Sequence, residues 1–220
     1  VLVLGNAGTG KSHLLASSVA NAIRRNQPAI LVLGEQFLAS EVPLIQLCRI
    51  LGWEEGIESL LGALNAAASV RAKPAIIAVD ALNDSGERKF WKSHLLQAAA
   101  QITQYRNLRI MVSCRSDFAP FVLPKLLAEG ADPEWSSIEH QGFGEDVFQA
   151  VATYFKGYKV TCDHFPPVLE EFRNPLFLKT FCEAYANGRV PPGPLSFDQI
   201  LKKRVKKCQE LIRESTDCPE

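Results

Sequence analysis

Short apolar runs alternate with longer segments of helical periodicity over the first two thirds of the chain. Each run is almost continuously apolar, which is typical of strands buried on both faces of a parallel sheet. The segments between them repeat apolar side chains at three and four positions, as amphipathic helices do. This order predicts an α/β fold with helices on both faces of the sheet. The predicted strands are 1–4, 29–34, 74–80, 108–115 and an edge strand at 136–140, and the predicted helices are 11–25, 43–51, 54–70, 87–105 and 120–129.

The pattern changes near residue 144, after which only helices are predicted. Helices at 146–155, 167–172 and 175–187 would form a small helical subdomain over 144–190, following a core over 1–143. The composition of 188–194 is that of a linker, and a helix at 197–213 would begin a further, winged-helix-like module, so that 191–220 comprises a linker and a first helix. The sequence starts one residue into a predicted strand and without an initiator methionine. We therefore expect a segment of a longer protein.

The first strand is followed by a G-x-x-x-x-G-K-S motif and then by a helix, which is the order that a phosphate-binding loop requires. Glycines let consecutive backbone N–H groups turn toward an anion, and the helix N-terminus adds unpaired N–H groups. Lys11 would contact the β- and γ-phosphates of a nucleotide, and the Ser12 hydroxyl would ligate Mg²⁺. The alternative is a glycine-rich turn with an unrelated lysine. The predicted nucleotide-binding residues of this loop are Gly5, Asn6, Ala7, Gly8, Thr9, Gly10, Lys11, Ser12 and the backbone of His13.

Two carboxylates near the end of the third predicted strand could complete a hydrolytic site. Asp80 follows an apolar run, in the position from which a carboxylate can hold Mg²⁺. Asp84 could orient or deprotonate an attacking water, with Asn83 as a polar positioning group. The alternatives are that Asp80 only terminates the strand and that Asp84 caps the next helix.

Arg115 follows the fourth predicted strand, where the carboxyl ends of parallel strands border a ligand. A guanidinium there can reach a γ-phosphate and report its presence. The alternative is a surface arginine paired with Asp117. The predicted catalytic residues are thus Lys11, Asp84 and Arg115, and the predicted metal ligands are Ser12 and Asp80.

Composition and charge argue against several classes of function. The 220 residues include 24 basic and 24 acidic side chains, and a net charge of zero gives no overall attraction to nucleic acid or to a membrane. The basic residues at 202–204, 206 and 207 lack interleaved aromatic side chains, which favours a solvated helix face over a nucleic-acid site. No apolar run approaches the roughly 20 residues of a membrane span. Six scattered cysteines favour reduced thiols and a cytoplasmic protein.

These motifs together resemble those of STAND-class P-loop NTPases of the NACHT type. The resemblance lies in residues 5–12, 80–84, 113–115 and 174–178, and the Asp-Ala-Leu-Asn sequence at 80–83 is most similar to bacterial Avs-type antiphage NTPases. It implies a P-loop NTPase fold with a three-layer αβα core and a parallel sheet, followed by a small helical subdomain. It also implies a site for ATP or ADP with Mg²⁺, at which Pro175 would pack near the adenine and Arg115 would be the sensor arginine.

The same resemblance implies a slow ATPase that acts as a switch in a larger signalling or antiphage-defence protein. The ADP or ATP state would control assembly of a homo-oligomer, and effector and sensor domains would belong to the same full-length chain. The motifs do not specify the activating ligand. Two features depart from the family pattern. Asp84 stands where many relatives have glutamate, and the winged-helix histidine that contacts the β-phosphate would lie beyond residue 220.

Two other functions are compatible with the motifs. A nucleotide-binding scaffold with little turnover would use ATP only to hold an oligomer together. A P-loop phosphotransferase would need an arginine-rich lid over the phosphates, whereas residues 144–190 contain only Arg173 and Arg189.

Overall fold

Five parallel strands form a sheet in the part of the chain that the structure describes. The structure is a computed structural model that describes residues 1–39, 41–87, 89–162, 170–191 and 196–216. The strand pairings among these residues are parallel, and the fifth strand along the chain lies at one edge of the sheet, as predicted. The strands are β1 (Leu2–Leu4), β2 (Ala29–Leu33), β3 (Ala75–Asp80), β4 (Leu108–Ser113) and β5 (Ser137–Glu139), in the spatial order β2-β3-β4-β1-β5.

Helices cover both faces of this sheet and complete the three-layer αβα core that was predicted. On one face, Leu15 and Val19 of the first helix form a buried cluster with Val3 and Ala78 of the strands. On the other face, the remaining helices contribute to a larger apolar cluster that includes Ile77. These helices are α1 (Lys11–Arg24), α2 (Pro43–Ile50), α3 (Ile57–Arg71), α4 (Phe90–Thr103), α5 (Ala119–Val122) and α6 (Lys125–Ala128).

The single helix predicted at 120–129 is wrong, because two short helices, α5 and α6, occupy this region. Pro124 lies between them, and Leu123 before it has the extended backbone (φ −92°, ψ 152°) that proline imposes on its predecessor. Helix α3 begins at Ile57 instead of residue 54, since Gly56 at its N-terminus has a φ of 83°. Helix α4 likewise begins later than predicted, at Phe90.

The chain divides into two compact units by its contacts. The first comprises Val1–Ala7 and Lys11–His140, and the second comprises Gly8–Gly10 together with the chain from Gln141 onward. The second unit has a hydrophobic core of its own, in which Phe172 and Phe181 meet edge to face with ring centroids 5.0 Å apart. Its helices are α7 (Val147–Tyr158), α8 (Pro175–Ala184) and α9 (Phe197–Thr216), with a 3-10 turn at Glu170–Arg173.

Two sequence predictions for this region fall partly outside the described residues. Residues 167–169 of the helix predicted at 167–172 lie outside them, and the remaining three belong to the 3-10 turn at Glu170–Arg173. Residues 192–194 of the linker predicted at 188–194 also lie outside them. Helix α9 extends to Thr216, three residues beyond its predicted end. Among the described residues, no helix combines the length and the hydropathy that crossing a bilayer would require.

The basic residues of α9 are mostly exposed, as a solvated face would be, but three of them also contact the end of α8 or the residues after it. Arg204 donates to Glu183 at 2.9 Å, and the Lys207 ammonium donates to the carbonyl of Ala186 at 2.7 Å. The Lys203 ammonium lies 3.8 Å from the centroid of the Tyr185 ring. These contacts tie α9 to the core of the second unit.

Candidate functional site

The phosphate-binding loop predicted from the sequence joins β1 directly to α1. Gly8 and Gly10 have φ angles of 75° and 102°, which side chains with a Cβ rarely adopt, so glycine is needed at both positions. Asn6 and Ala7 are exposed, whereas Thr9 is buried with 6% exposure. The loop therefore has the backbone conformation for which the motif selects glycine.

Lys11 is the first residue of α1, and its ammonium points back into the loop. The Nζ atom donates to the carbonyl oxygens of Gly5 and Asn6, each at 2.8 Å. Burial lowers the pKa of Lys11, and the nearby positive charge of Arg115 lowers it further, while the charge of Asp80 opposes the shift. An ammonium has three N–H donors, so two loop carbonyls leave capacity to donate to an anion.

Ser12 and His13 lie in the first turn of α1 and are both exposed. The backbone N–H groups of a first helical turn have no partner within their own helix and are suited to an anion. The Ser12 hydroxyl therefore lies where the motif places a ligand for a phosphate-bound metal ion.

Asp80 ends β3 and is buried with 5% exposure, and its carboxylate has a polar partner. Val79 and Val112 are partners in the β3–β4 register, which places Asp80 beside Ser113 on the next strand. The Ser113 hydroxyl donates to Asp80 Oδ1 at 2.5 Å and accepts from the backbone N–H of Ala81 at 2.7 Å. This pair of bonds fixes one oxygen of the Asp80 carboxylate at the end of the strand.

The chain turns sharply after Asp80. Ala81 has left-handed backbone angles (φ 56°, ψ 60°), and Leu82–Asp84 form a 3-10 turn. A Cβ on Gly34, directly after β2, would lie 2.1 Å from the Ala81 carbonyl oxygen, so only glycine fits beside this turn. The sequence analysis missed Gly34, although a glycine that directly follows an apolar strand is a signal of such a close approach.

Asn83 forms hydrogen bonds to Asp84 and to the backbone of Arg115, two residues for which the sequence predicts a function. Its Nδ2 atom donates to Asp84 Oδ1 at 2.6 Å, and its Oδ1 atom accepts from the backbone N–H of Arg115 at 3.1 Å. Asp84 is exposed and does not cap the next helix, because α4 begins only at Phe90. The structure therefore brings Asp84 and the start of the Arg115 loop together through one amide side chain.

The Arg115 side chain forms the ion pair that was the alternative to a phosphate contact. Its Nε and Nη2 atoms donate to the two carboxylate oxygens of Asp117 at 3.0 and 2.6 Å, and its guanidinium lies 4.7 Å from the centroid of the Phe118 ring. The backbone N–H of Ser116 donates to the carbonyl of Gly5 at 3.1 Å. The loop after β4 thus contacts the first glycine of the phosphate-binding loop.

Pro175 is the first residue of α8 in the second unit, where its missing N–H costs no hydrogen bond. The neighbouring Leu176 donates its backbone N–H to the carbonyl of Gly8, also in the second unit, at 3.2 Å. A Cβ on Gly8 would lie 2.7 Å from the Cβ of Leu176, which is a second reason for glycine there. Pro175 is therefore one residue from a contact with the loop motif.

These residues fit a nucleotide with its metal ion. A hydroxyl at Ser12 and a fixed carboxylate at Asp80 are the hard oxygen ligands that Mg²⁺ prefers, and Lys11 provides a phosphate donor. Ser113 is, with Gly34, a residue of the candidate site to which sequence reasoning assigned no role. Its signal was a hydroxyl at the end of an otherwise apolar strand.

No protein-family model matches the chain, and no curated protein matches it either. Among solved structures, the chain is similar to AMPPCP-bound DnaA from Aquifex aeolicus, with 13% identity over 97% of this chain and a TM-score of 0.53. It is also similar to Cdc6p from Pyrobaculum aerophilum, with 11% identity over 97% of this chain and a TM-score of 0.48. The chain spans 61% and 54% of the lengths of those two proteins. At this level of identity the likeness is one of fold, and the fold is that of a P-loop NTPase.

Proposed function

We propose that this chain is the ATP-binding, slowly hydrolysing switch module of a STAND/NACHT-like NTPase. The observation that best supports the proposal is the Lys11 ammonium held inside a glycine loop, with the Asp80 carboxylate fixed at the end of a strand of the same sheet. The loop provides an anion site, and the carboxylate provides a metal ligand. The similar DnaA structure contains AMPPCP, and we extend this ligand class, an adenine nucleotide, to the present chain.

Each side chain has a distinct part in the proposed reaction. Lys11 donates to the β- and γ-phosphates, and Ser12 and Asp80 hold Mg²⁺, which neutralises phosphate charge when it is bound. Asp84 orients the attacking water from its exposed position, and Arg115 contacts the γ-phosphate.

One contact favours slow turnover. Both carboxylate oxygens of Asp117 accept from the Arg115 guanidinium. This ion pair must open before those N–H groups can contact a phosphate. We therefore propose that the ADP or ATP state persists long enough to control assembly of a homo-oligomer in a signalling or antiphage-defence protein with effector and sensor domains.

The same contact favours a second candidate, a nucleotide-binding scaffold in which ATP holds an oligomer together with little turnover. The two candidates share the nucleotide site and differ only in hydrolysis. Binding and turnover therefore have to be measured separately.

The first experiment measures ATP and ADP affinity by calorimetric titration of the chain and its Lys11→Ala variant. We expect a loss of about 100-fold or more, because charge-assisted hydrogen bonds contribute about 1.5–3 kcal/mol each. Lys92→Ala is the matched control, since Lys92 also donates to a backbone carbonyl, that of Pro120, but lies outside the loop. Unchanged affinity in Lys11→Ala would refute the site.

The second experiment compares ATP turnover of the chain and its Asp84→Asn variant. Loss of hydrolysis with retained binding supports the switch and the role of Asp84. Absence of hydrolysis in the unsubstituted chain, with binding intact, supports the scaffold.

A further inference from the structure

Asp117 holds the Arg115 guanidinium by the same two-bond geometry with which a phosphate would bind it. Two parallel N–H···O bonds at 3.0 and 2.6 Å join the guanidinium to both carboxylate oxygens. This two-bond arrangement is the one by which arginine also recognises phosphate oxygens. A carboxylate bound in this way occupies two of the five guanidinium N–H donors, so a phosphate that binds the same edge of the guanidinium has to displace it.

The pair lies close to the phosphate-binding loop, in the first unit. The backbone N–H of Ser116, between the two partners, donates to the carbonyl of Gly5. The charges of Arg115 and Asp117 act in opposite directions on the pKa of Lys11, so both partners lie within electrostatic reach of its ammonium. Both side chains are partly exposed, at 37% and 51%, so the pair can open without unpacking a core.

We propose that Asp117 is a specificity-determining residue that competes with the γ-phosphate for the Arg115 guanidinium. This inference rests on the proposed nucleotide site and adds to it a determinant of the choice between ATP and ADP. When ADP binds, the Arg115–Asp117 pair stays intact. When ATP binds, its γ-phosphate replaces Asp117 as the partner of the Arg115 guanidinium. Asp117 therefore weakens ATP binding and leaves ADP binding unchanged.

The test measures affinities for ADP and for a non-hydrolysable ATP analogue in the chain and its Asp117→Asn variant. Asparagine has nearly the same shape but no charge. We expect analogue binding to tighten about two- to fivefold, the range for an exposed ion pair, and ADP binding to stay the same. Measuring the same substitution in an Arg115→Ala background completes a double-mutant cycle, and there we expect no change in the ratio of the two affinities.

Glu139→Gln is the matched control for a general charge effect. The Glu139 carboxylate accepts from the Ser116 hydroxyl at 2.9 Å, so it is bonded to the same loop without contacting Arg115. We expect this variant to leave the ratio of affinities unchanged.

Three results would overturn the inference. The first is an unchanged ratio of ATP-analogue affinity to ADP affinity in Asp117→Asn. The second is a change in this ratio that persists in the Arg115→Ala background, and the third is an equal change in Glu139→Gln. If the unsubstituted chain binds neither nucleotide, the proposed function itself fails and the role of Asp117 fails with it.

Discussion

At the scale of single residues, Ser113 shows how one hydroxyl can satisfy two polar neighbours. It has no measurable exposure, donates to Asp80 and accepts from the partly buried backbone N–H of Ala81. A buried carboxylate oxygen and a partly buried N–H are both costly to leave without partners. The stability of the chain at the end of β3 therefore depends on Ser113 of the neighbouring strand β4.

Replacing Ser113 by alanine should destabilise the first unit by about 1–3 kcal/mol, because it leaves both partners of the hydroxyl unsatisfied. The free energy of unfolding can be measured in urea from tryptophan fluorescence, because the three tryptophans, Trp53, Trp91 and Trp135, all belong to the first unit. Ser113→Thr keeps the hydroxyl and should retain more of the stability than alanine does. Equal stability of the alanine variant and the unsubstituted chain would contradict the account.

The sequence predicts functional residues best where their geometry is local. The loop residues and Lys11 occupy one short motif between a strand and a helix, so their order already predicts that they lie close together. The partner of Asp80 depends instead on the register of β3 and β4, which continuously apolar strands do not reveal. The sequence also could not decide whether Arg115 pairs with Asp117 or contacts a phosphate, because a guanidinium at the end of a strand can do either.

At the scale of elements, helix α8 begins with a well-defined cap. Asn174 Oδ1 accepts from the backbone N–H groups of Leu176 and Phe177 at 3.0 and 3.2 Å, and Pro175 occupies the first position. The helix then buries Leu178 and Phe181 in the core of the second unit. The cap therefore sets where this helix starts and which face it buries.

The variant Asn174→Ala should weaken the start of α8 by about 1 kcal/mol, since alanine cannot accept from the first N–H groups. Amide hydrogen exchange of peptides covering this helix should become about fivefold faster. Asn174→Asp keeps an acceptor at the same position and should exchange at nearly the original rate. No difference between the alanine and aspartate variants would mean that the side-chain cap contributes nothing.

The sequence predicts helices and strands correctly where a single period of hydrophobic residues dominates a segment. All five strands lie within their predicted ranges. For β1 to β4 the reason is that a short apolar run bounded by turn residues is typical of a buried strand. Strand β5 is only partly apolar, with Ile138 between Ser137 and Glu139. The segment around Pro124 was mispredicted as one helix, since its apolar spacing on both sides is helical. The missing N–H and fixed φ of proline outweighed that spacing.

At the scale of the whole molecule, each of the two units has a separate hydrophobic core, and cysteines lie in both. Cys48 and Cys114 are buried in the first unit and Cys182 in the second. None of the five described cysteines forms a disulfide. Burial raises the pKa of the Cys114 and Cys182 thiols to about 12, so neither forms the reactive thiolate at neutral pH. These buried thiols can therefore report on the opening of each core.

In the native protein, an alkylating reagent at pH 8 should modify Cys208, which is only partly buried, and leave Cys114 and Cys182 unmodified. Added urea should expose Cys182 at a lower concentration than Cys114, because the smaller core of the second unit buries less apolar surface. Peptide mass spectrometry measures each site separately, and Cys208 reports the reagent's intrinsic rate. Simultaneous modification of Cys114 and Cys182 across the titration would instead mean that the two cores unfold as one cooperative structure, with neither able to open alone.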